Sequence, residues 1–166
     1  PGVQAGVMRP DGTVILASSG TVDFERKMAD ITNRDIVRVG STTKMFVAAL
    51  IGRLMERGQL SYDDTIDKWF PDLPAARTIT IRELLNQNSG IKENLFTNPV
   101  ILVTSVLSAG KQWDARAVVH DIMGNMKVAP VGRRSFVYAN NNYLLLGLIA
   151  EQVGHDKLAR QLEREF

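Results

Sequence analysis

The chain has 166 residues, of which 45% are hydrophobic and 23% charged, a composition typical of a globular protein with a buried core. Its formal net charge is only +2 and acidic residues are interspersed among the basic ones, which argues against a nucleic-acid-binding protein. No apolar stretch approaches the roughly 20 residues of a membrane-spanning helix. The absence of cysteine excludes disulfides and thiolate catalysis.

Two β-favouring runs open the sequence, at residues 3–8 and 13–17, and the turn sequence at 9–12 separates them. Because proline and glycine occupy turn positions there, the pattern predicts an antiparallel hairpin. Residues 36–39 then suggest a short extended segment that leads into Ser41.

The strongest helix is predicted at residues 42–57, where apolar residues recur at helical spacing and Gly58 supplies a stop. This helix is expected to bury Phe46, Ala49 and Leu50. The overall architecture predicted is one opening hairpin followed by a mostly helical body.

A capping-box sequence at residues 80–83 predicts a short helix that runs through Leu85 and ends near residues 88–90. Further helices are predicted at residues 99–108, 114–126, 141–153 and from 156 onward.

Candidate nucleophilic chemistry begins with Ser41 and Lys44. A serine hydroxyl attacks carbonyls poorly unless a nearby group accepts its proton. Residues i and i+3 share a helical face, so the Lys44 amine is expected beside the Ser41 hydroxyl. The helix amino terminus also favours negative charge, as an oxyanion requires.

The Ser-x-x-Lys spacing occurs three times, and its context separates the three pairs. The pairs are Ser41/Lys44, Ser89/Lys92 and Ser108/Lys111. Glycine follows the second and third serines at predicted helix stops, so only Ser41 opens a long apolar helix. The alternative is that Ser41 merely caps this helix and that Lys44 is solvated.

A second signal is Tyr138-Ala139-Asn140, which is followed by an apolar helix. A tyrosine serves as a base when a neighbouring ammonium favours its phenolate, and Lys44 is a candidate ammonium. Asn140 offers an amide donor and an acceptor that suit a substrate amide or the lysine. The structural alternative makes Tyr138 a core aromatic and Asn140 a helix cap.

Metal chemistry is not expected. The two histidines, His120 and His155, are far apart in the sequence, and neither lies in a ligand spacing such as H-E-x-x-H. We expect both at the surface or at helix ends.

Taken together, these motifs resemble class C-type serine β-lactamases and their relatives, the D-alanyl-D-alanine carboxypeptidases and esterases. The family's landmarks occur in its order along nearly the whole chain. They are Gly-Ser-Thr-Thr-Lys at 40–44, the segments 58–64 and 79–85, Asn-Ser-Gly at 88–90 and Tyr-Ala-Asn at 138–140. The resemblance implies an α/β (α+β) fold of the β-lactamase/transpeptidase type.

The resemblance also implies roles for individual residues. Ser41 would be the acylated nucleophile, Lys44 would help to activate it, Tyr138 would be the general base and Asn140 would contact the substrate. No cofactor or metal is implied. The substrate would be a small molecule or peptide, namely a β-lactam, a D-alanyl peptide or an ester, and the family suggests a periplasmic or secreted location.

The sequence departs from the family's pattern in two places. Gln87 stands where the family often has histidine, and we assign it no catalytic role. The chain also ends at Phe166 without a Lys-Thr-Gly or His-x-Gly third motif. We therefore expect a single, incomplete domain over residues 1–166 that lacks its C-terminal sheet strands and has low activity alone. Its open sheet edge predicts self-association.

The alternative function from another class is a non-catalytic relative that binds peptidoglycan or another ligand. Retention of Ser41, Lys44 and Tyr138 argues against it, because a binding module has no need of that trio. The missing third motif argues for it.

Overall fold

A computed structural model describes residues 2–22, 30–93, 114, 117, 119 and 126–166. These residues form two compact units, one within residues 1–40 and the other within residues 41–166. The first unit contains the strands, and the second contains the helices and all four candidate site residues.

The first unit is built on the predicted antiparallel hairpin, in which β1 (Gly2–Met8) pairs with β2 (Val14–Gly20). In the turn, Gly12 has a φ of 84°, which glycine adopts without strain. The Asp11 carboxylate accepts a hydrogen bond from the N–H of Thr13 at 2.9 Å. β2 begins one residue later and ends three residues further along than the sequence predicts.

The strands of this hairpin form the one sheet among the described residues. Their apolar side chains are largely in solvent: Val3 and Val7 are each 61% exposed and Leu16 is 53% exposed. Residues 36–39, predicted as an extended segment, have no regular secondary structure.

The second unit begins at Ser41, within a 3-10 turn (Gly40–Thr42) that leads directly into α1 (Thr43–Glu56). The prediction that Phe46 and Ala49 are buried is wrong, since both are exposed, whereas Leu50 is buried as predicted. The buried positions recur at i, i+3, i+4 and i+7, the spacing of one helical face. They are Val47, Leu50, Ile51 and Leu54.

The capping box predicted at residues 80–83 opens α2 (Ile81–Leu85). The N–H of Glu83 donates to Thr80 Oγ1 at 3.2 Å, and the N–H of Thr80 donates to the Glu83 carboxylate at 2.9 Å. These two bonds satisfy N–H groups that have no partner within the helix.

The core of the second unit lies around α3 (Asn140–Gly154), which begins one residue before and ends one residue after its predicted bounds. Leu145, Leu146 and Ile149 on α3 are fully buried. α1, α2 and α4 (Leu158–Glu165) all pack against it. α3 is therefore the support to which the other helices, and the site at its amino end, are fixed.

Two of the predicted helices fall wholly or mostly outside the residues that the structure describes. Residues 99–108 lie outside the described residues, and so does most of the segment 114–126. None of the helices in the described ranges is both long and apolar enough to cross a bilayer.

Candidate active site

Ser41 and Lys44 are brought together at the start of α1. Ser41 lies in the 3-10 turn and is exposed, and Lys44 is in the first helical turn and half-buried. The Lys44 Nζ donates to Ser41 Oγ at 3.2 Å, as the i, i+3 spacing predicts. Thr42, not Ser41, occupies the N-cap position, and no side chain caps this helix. Ser41 is thus left with its hydroxyl directed at other side chains.

Tyr138 completes a contact that no local spacing predicts. Its hydroxyl donates to Ser41 Oγ at 2.8 Å. The Lys44 Nζ lies 5.0 Å from the centre of its ring. Tyr138 is 46% exposed, so it is not the core aromatic of the structural alternative.

The pKa values of the two tyrosines near Lys44 are shifted in opposite directions. Hydrogen bonds with Lys44, and secondly with Ser41, lower the pKa of Tyr138 below its ordinary value. Burial, and secondly the charge of Tyr138, raises the pKa of Tyr143. Tyr138 is therefore the tyrosine whose phenolate this environment favours.

Asn140 joins the same cluster through both ends of its amide. Its Oδ1 accepts a hydrogen bond from Lys44 Nζ at 2.7 Å, and its Nδ2 donates to the Glu93 carboxylate at 3.0 Å. The backbone N–H of Asn140 also donates to Glu93. Because an amide nitrogen is only a donor, these partners fix which way the amide faces. Asn140 is the first residue of α3 and Ala139 is its N-cap, so Asn140 does not cap the helix.

The second Ser-x-x-Lys pair has no such arrangement. Ser89 is 1% exposed, and its hydroxyl donates to Asn142 Oδ1 at 2.6 Å while accepting from the N–H of Ile91 at 3.2 Å. Lys92 is exposed. Ser89 is therefore engaged in internal hydrogen bonds, as its predicted position at a helix stop suggests. The third pair, Ser108 and Lys111, lies outside the described residues.

The loop that carries Tyr138 is tied to α2 by Arg134. Its guanidinium contacts both carboxylate oxygens of Glu83, at 3.0 and 3.1 Å, and its side chain is only 4% exposed. It also donates to Thr78 Oγ1 at 2.8 Å and to the carbonyl of Ala129 at 3.3 Å. A planar guanidinium with several donors can hold several chain segments at once.

Gln87 holds the same loop at its other end. Its side-chain Oε1 accepts from the N–H of Ala139 at 3.0 Å and from Asn142 Nδ2 at 2.5 Å. Its backbone carbonyl accepts from the N–H of Val137 at 2.9 Å. These bonds flank Tyr138 on both sides, and Gln87 is 6% exposed.

Comparison of the sequence with protein-family models identifies its family. The beta-lactamase family model matches residues 1–166, which is the whole chain. The chain belongs to the beta-lactamase family.

The proteins similar to this chain include penicillin-binding proteins and an amidase. Penicillin-binding protein 4* of Bacillus subtilis is 28% identical over 160 residues, which cover 86% of this chain and 32% of that protein. D-amino acid amidase from Ochrobactrum anthropi has a TM-score of 0.82 at 27% identity over 99% of this chain and 45% of its own. The octameric penicillin-binding protein homologue from Pyrococcus abyssi has a TM-score of 0.77 at 28% identity over 100% of this chain and 38% of its own.

These matches confirm the predicted fold class, a mixed α/β fold of the β-lactamase/transpeptidase type with an opening hairpin and a helical body. The family, with an amidase and penicillin-binding proteins among its members, is of the serine-hydrolase type. The chain spans about a third of the length of the curated relatives it matches.

Sequence reasoning missed Glu93 and Arg134 and assigned no role to Gln87. Their signals are weak: Arg134 is one of an adjacent basic pair, and Gln87 departs from the family's usual histidine. Among the described residues, no three or more acidic or histidine side chains cluster as a metal site would require. His155 is exposed at the end of α3, as predicted, and His120 lies outside the described residues.

Proposed function

We propose that this chain carries the nucleophile and base of a serine hydrolase that works through an acyl-enzyme. The supporting observation is the convergence of two groups on one hydroxyl: the Tyr138 phenol at 2.8 Å and the Lys44 ammonium at 3.2 Å from Ser41 Oγ. A nucleophile within hydrogen-bond reach of a base, which a third group orients in turn, is the arrangement that activates serine.

In the proposed acylation step, Ser41 Oγ bonds to the substrate carbonyl carbon while its proton passes to the Tyr138 phenolate. Lys44 favours that phenolate because its positive charge and hydrogen bond stabilise the anion. The tetrahedral intermediate then collapses, the bond to the leaving group breaks, and the phenol returns the proton to the leaving group.

In deacylation, a water attacks the acyl carbon, gives its proton to Tyr138, and Ser41 regains a proton as the acid departs. The backbone N–H of Ser41 is proposed as one oxyanion donor, and loss of such a donor costs about 10²–10³ in rate. Asn140 is proposed to contact the substrate. Both ends of its amide already have a partner, because Oδ1 accepts from Lys44 and Nδ2 donates to Glu93.

The proposed substrates are a β-lactam, a D-alanyl peptide or a small ester, and the similarity to D-amino acid amidase adds the amide of a D-amino acid. Turnover by the full-length protein is measured with a chromogenic β-lactam, a D-Ala-D-Ala peptide, a p-nitrophenyl ester and D-phenylalanine amide. We expect turnover of at least one of the four.

Ser41→Ala is the informative variant in that panel, and Ser61→Ala, which alters a serine in the loop after α1, is its control. We expect Ser41→Ala to lose turnover and Ser61→Ala to keep it. Binding of these compounds without turnover by the wild-type protein would instead favour the non-catalytic relative.

Self-association through the hairpin stays a prediction. The exposed Val3, Val7 and Leu16 on its strands are the motivation. Light scattering of the full-length protein over a range of concentrations tests it, and a monomer at every concentration contradicts it.

A further inference from the structure

Gln87 has a backbone conformation that its residue type rarely adopts. It follows α2, and its φ is 58°, in the left-handed region. The N–H of Gln87 donates to the carbonyl of Leu84 at 3.2 Å, and the N–H of Asn88 donates to the carbonyl of Glu83 at 3.0 Å. These bonds form a Schellman motif, in which glycine usually occupies this position because it lacks a Cβ.

The side chain gives a reason for glutamine at this position. The atom that faces the backbone N–H of Ala139 must be an acceptor, so it is Oε1 and not Nε2. The same oxygen accepts from Asn142 Nδ2, and Asn142 is fully buried. Glycine would relieve the strained backbone but would leave both donors without this acceptor. Backbone strain that persists in this way is concentrated at functional sites.

The backbone groups that donate to Gln87 belong to the loop that carries Tyr138, the proposed base. Val137 and Ala139 are the two neighbours of Tyr138, and both of their N–H groups donate to Gln87. The Tyr138 side chain is 46% exposed, so packing does little to fix it. Its hydroxyl must nevertheless stay within hydrogen-bond reach of Ser41.

We propose that Gln87 is a positioning residue for Tyr138, which holds the loop so that the phenol stays at the Ser41 hydroxyl. This inference rests on the proposed function and deepens it, because it assigns the task of placing the base to a residue that touches neither substrate nor nucleophile. A misplacement of about 1 Å can cost a hundredfold in rate.

Three variants of Gln87 test whether its side-chain acceptor is what matters. Gln87→Met keeps the length of the side chain and removes the acceptor. Gln87→Glu keeps an oxygen toward Ala139 and replaces Nε2, which has no hydrogen-bond partner among the described residues, by a second oxygen, so that the side chain becomes an ionisable carboxyl group. Gln87→Gly removes the acceptor and also relieves the left-handed strain, so it serves if Gln87→Met does not fold.

The measurement is the acylation rate of Ser41 in the full-length protein, with each Gln87 variant made in the wild-type and in the Tyr138→Phe background. We expect Gln87→Met and Gln87→Gly to slow acylation about a hundredfold, and Gln87→Glu to restore most of the rate. In the Tyr138→Phe background we expect Gln87→Met to change the rate by less than about twofold, because the base it positions is already absent.

Two outcomes overturn the inference while the proposed function stands: Gln87→Met acylates at the wild-type rate, or it slows both backgrounds equally, as a general loss of folded structure would. If the wild-type protein is not acylated at Ser41 at all, the proposed function fails, and the inference falls with it.

Discussion

The hydroxyl of Tyr138 lies 2.8 Å from the Oγ of Ser41, although the two residues are 97 positions apart in the chain. Ser41 precedes α1 and Tyr138 precedes α3, and these two helices pack against each other. The packing of two helices in the core therefore sets the distance between the proposed nucleophile and the proposed base.

Removal of the Tyr138 hydroxyl tests its role as a base. We expect Tyr138→Phe to slow acylation by about 10²–10⁴-fold, the usual contribution of general acid–base catalysis. Its stability should change little, because the side chain is half exposed. Single-turnover kinetics give the rate, and denaturant unfolding gives the stability.

Tyr143→Phe is the matched control for that substitution. The Tyr143 hydroxyl donates to the carbonyl of Leu85 at 3.2 Å and does not contact Ser41. We expect a loss of about 1 kcal/mol in the free energy of unfolding and an unchanged acylation rate. Equal rates in the two phenylalanine variants would remove Tyr138 from the mechanism.

The pH dependence of acylation tests the link between Lys44 and Tyr138. The base acts as a phenolate, so the rate should rise with pH up to the pKa of Tyr138, which the hydrogen bond from Lys44 lowers. Without that hydrogen bond, the pKa returns toward the ordinary tyrosine value of about 10. In Lys44→Met the rising limb of kcat/KM should therefore move to higher pH.

Lys92→Met is the control, because Lys92 is the exposed lysine of the second Ser-x-x-Lys pair. Its pH profile should match that of the wild-type protein. A rising limb in Lys44→Met that stays in place or moves to lower pH would show that Lys44 does not favour the phenolate.

The ion pair of Arg134 and Glu83 is expected to stabilise the second unit. Arg134→Met removes the guanidinium from the partly buried Glu83 carboxylate, which keeps its hydrogen bond from the N–H of Thr80, and the loss of such a charged partner costs about 1–3 kcal/mol. Urea unfolding should show a decrease of this size. Arg133→Met changes an exposed neighbour, so its free energy of unfolding should stay within about 0.5 kcal/mol of wild type. Equal midpoints for the two variants would contradict this account of the pair.

Local patterns predicted the elements well where one short segment contains the whole signal. The capping box at Thr80, the turn at Gly12 and the proximity of Ser41 and Lys44 all depend on spacings of a few residues. Tyr138 was proposed as a base beside Lys44 from its Tyr-Ala-Asn motif, and the family's landmarks pointed to the same role. Its hydroxyl lies at Ser41 in the folded chain, and its role as a base stays a prediction.

The remainder of the site depends on tertiary packing. Residues 45–51 of α1 are all apolar, so periodicity does not show which face is buried, and the prediction failed at Phe46 and Ala49. The partners of Gln87 lie 52 and 55 positions away. No spacing rule predicts contacts between residues so far apart in the sequence, so these hydrogen bonds could not be predicted from the sequence.

Mass spectrometry of the full-length protein tests the central claim most directly. The protein is quenched with acid during turnover of whichever panel substrate it accepts, and is then digested with trypsin, which cuts after Arg38 and Lys44. The peptide of residues 39–44 should carry the mass of the acyl group on Ser41, and the Ser41→Ala protein should carry none. Turnover that Ser41→Ala retains, or an acyl group on another residue, would contradict the account.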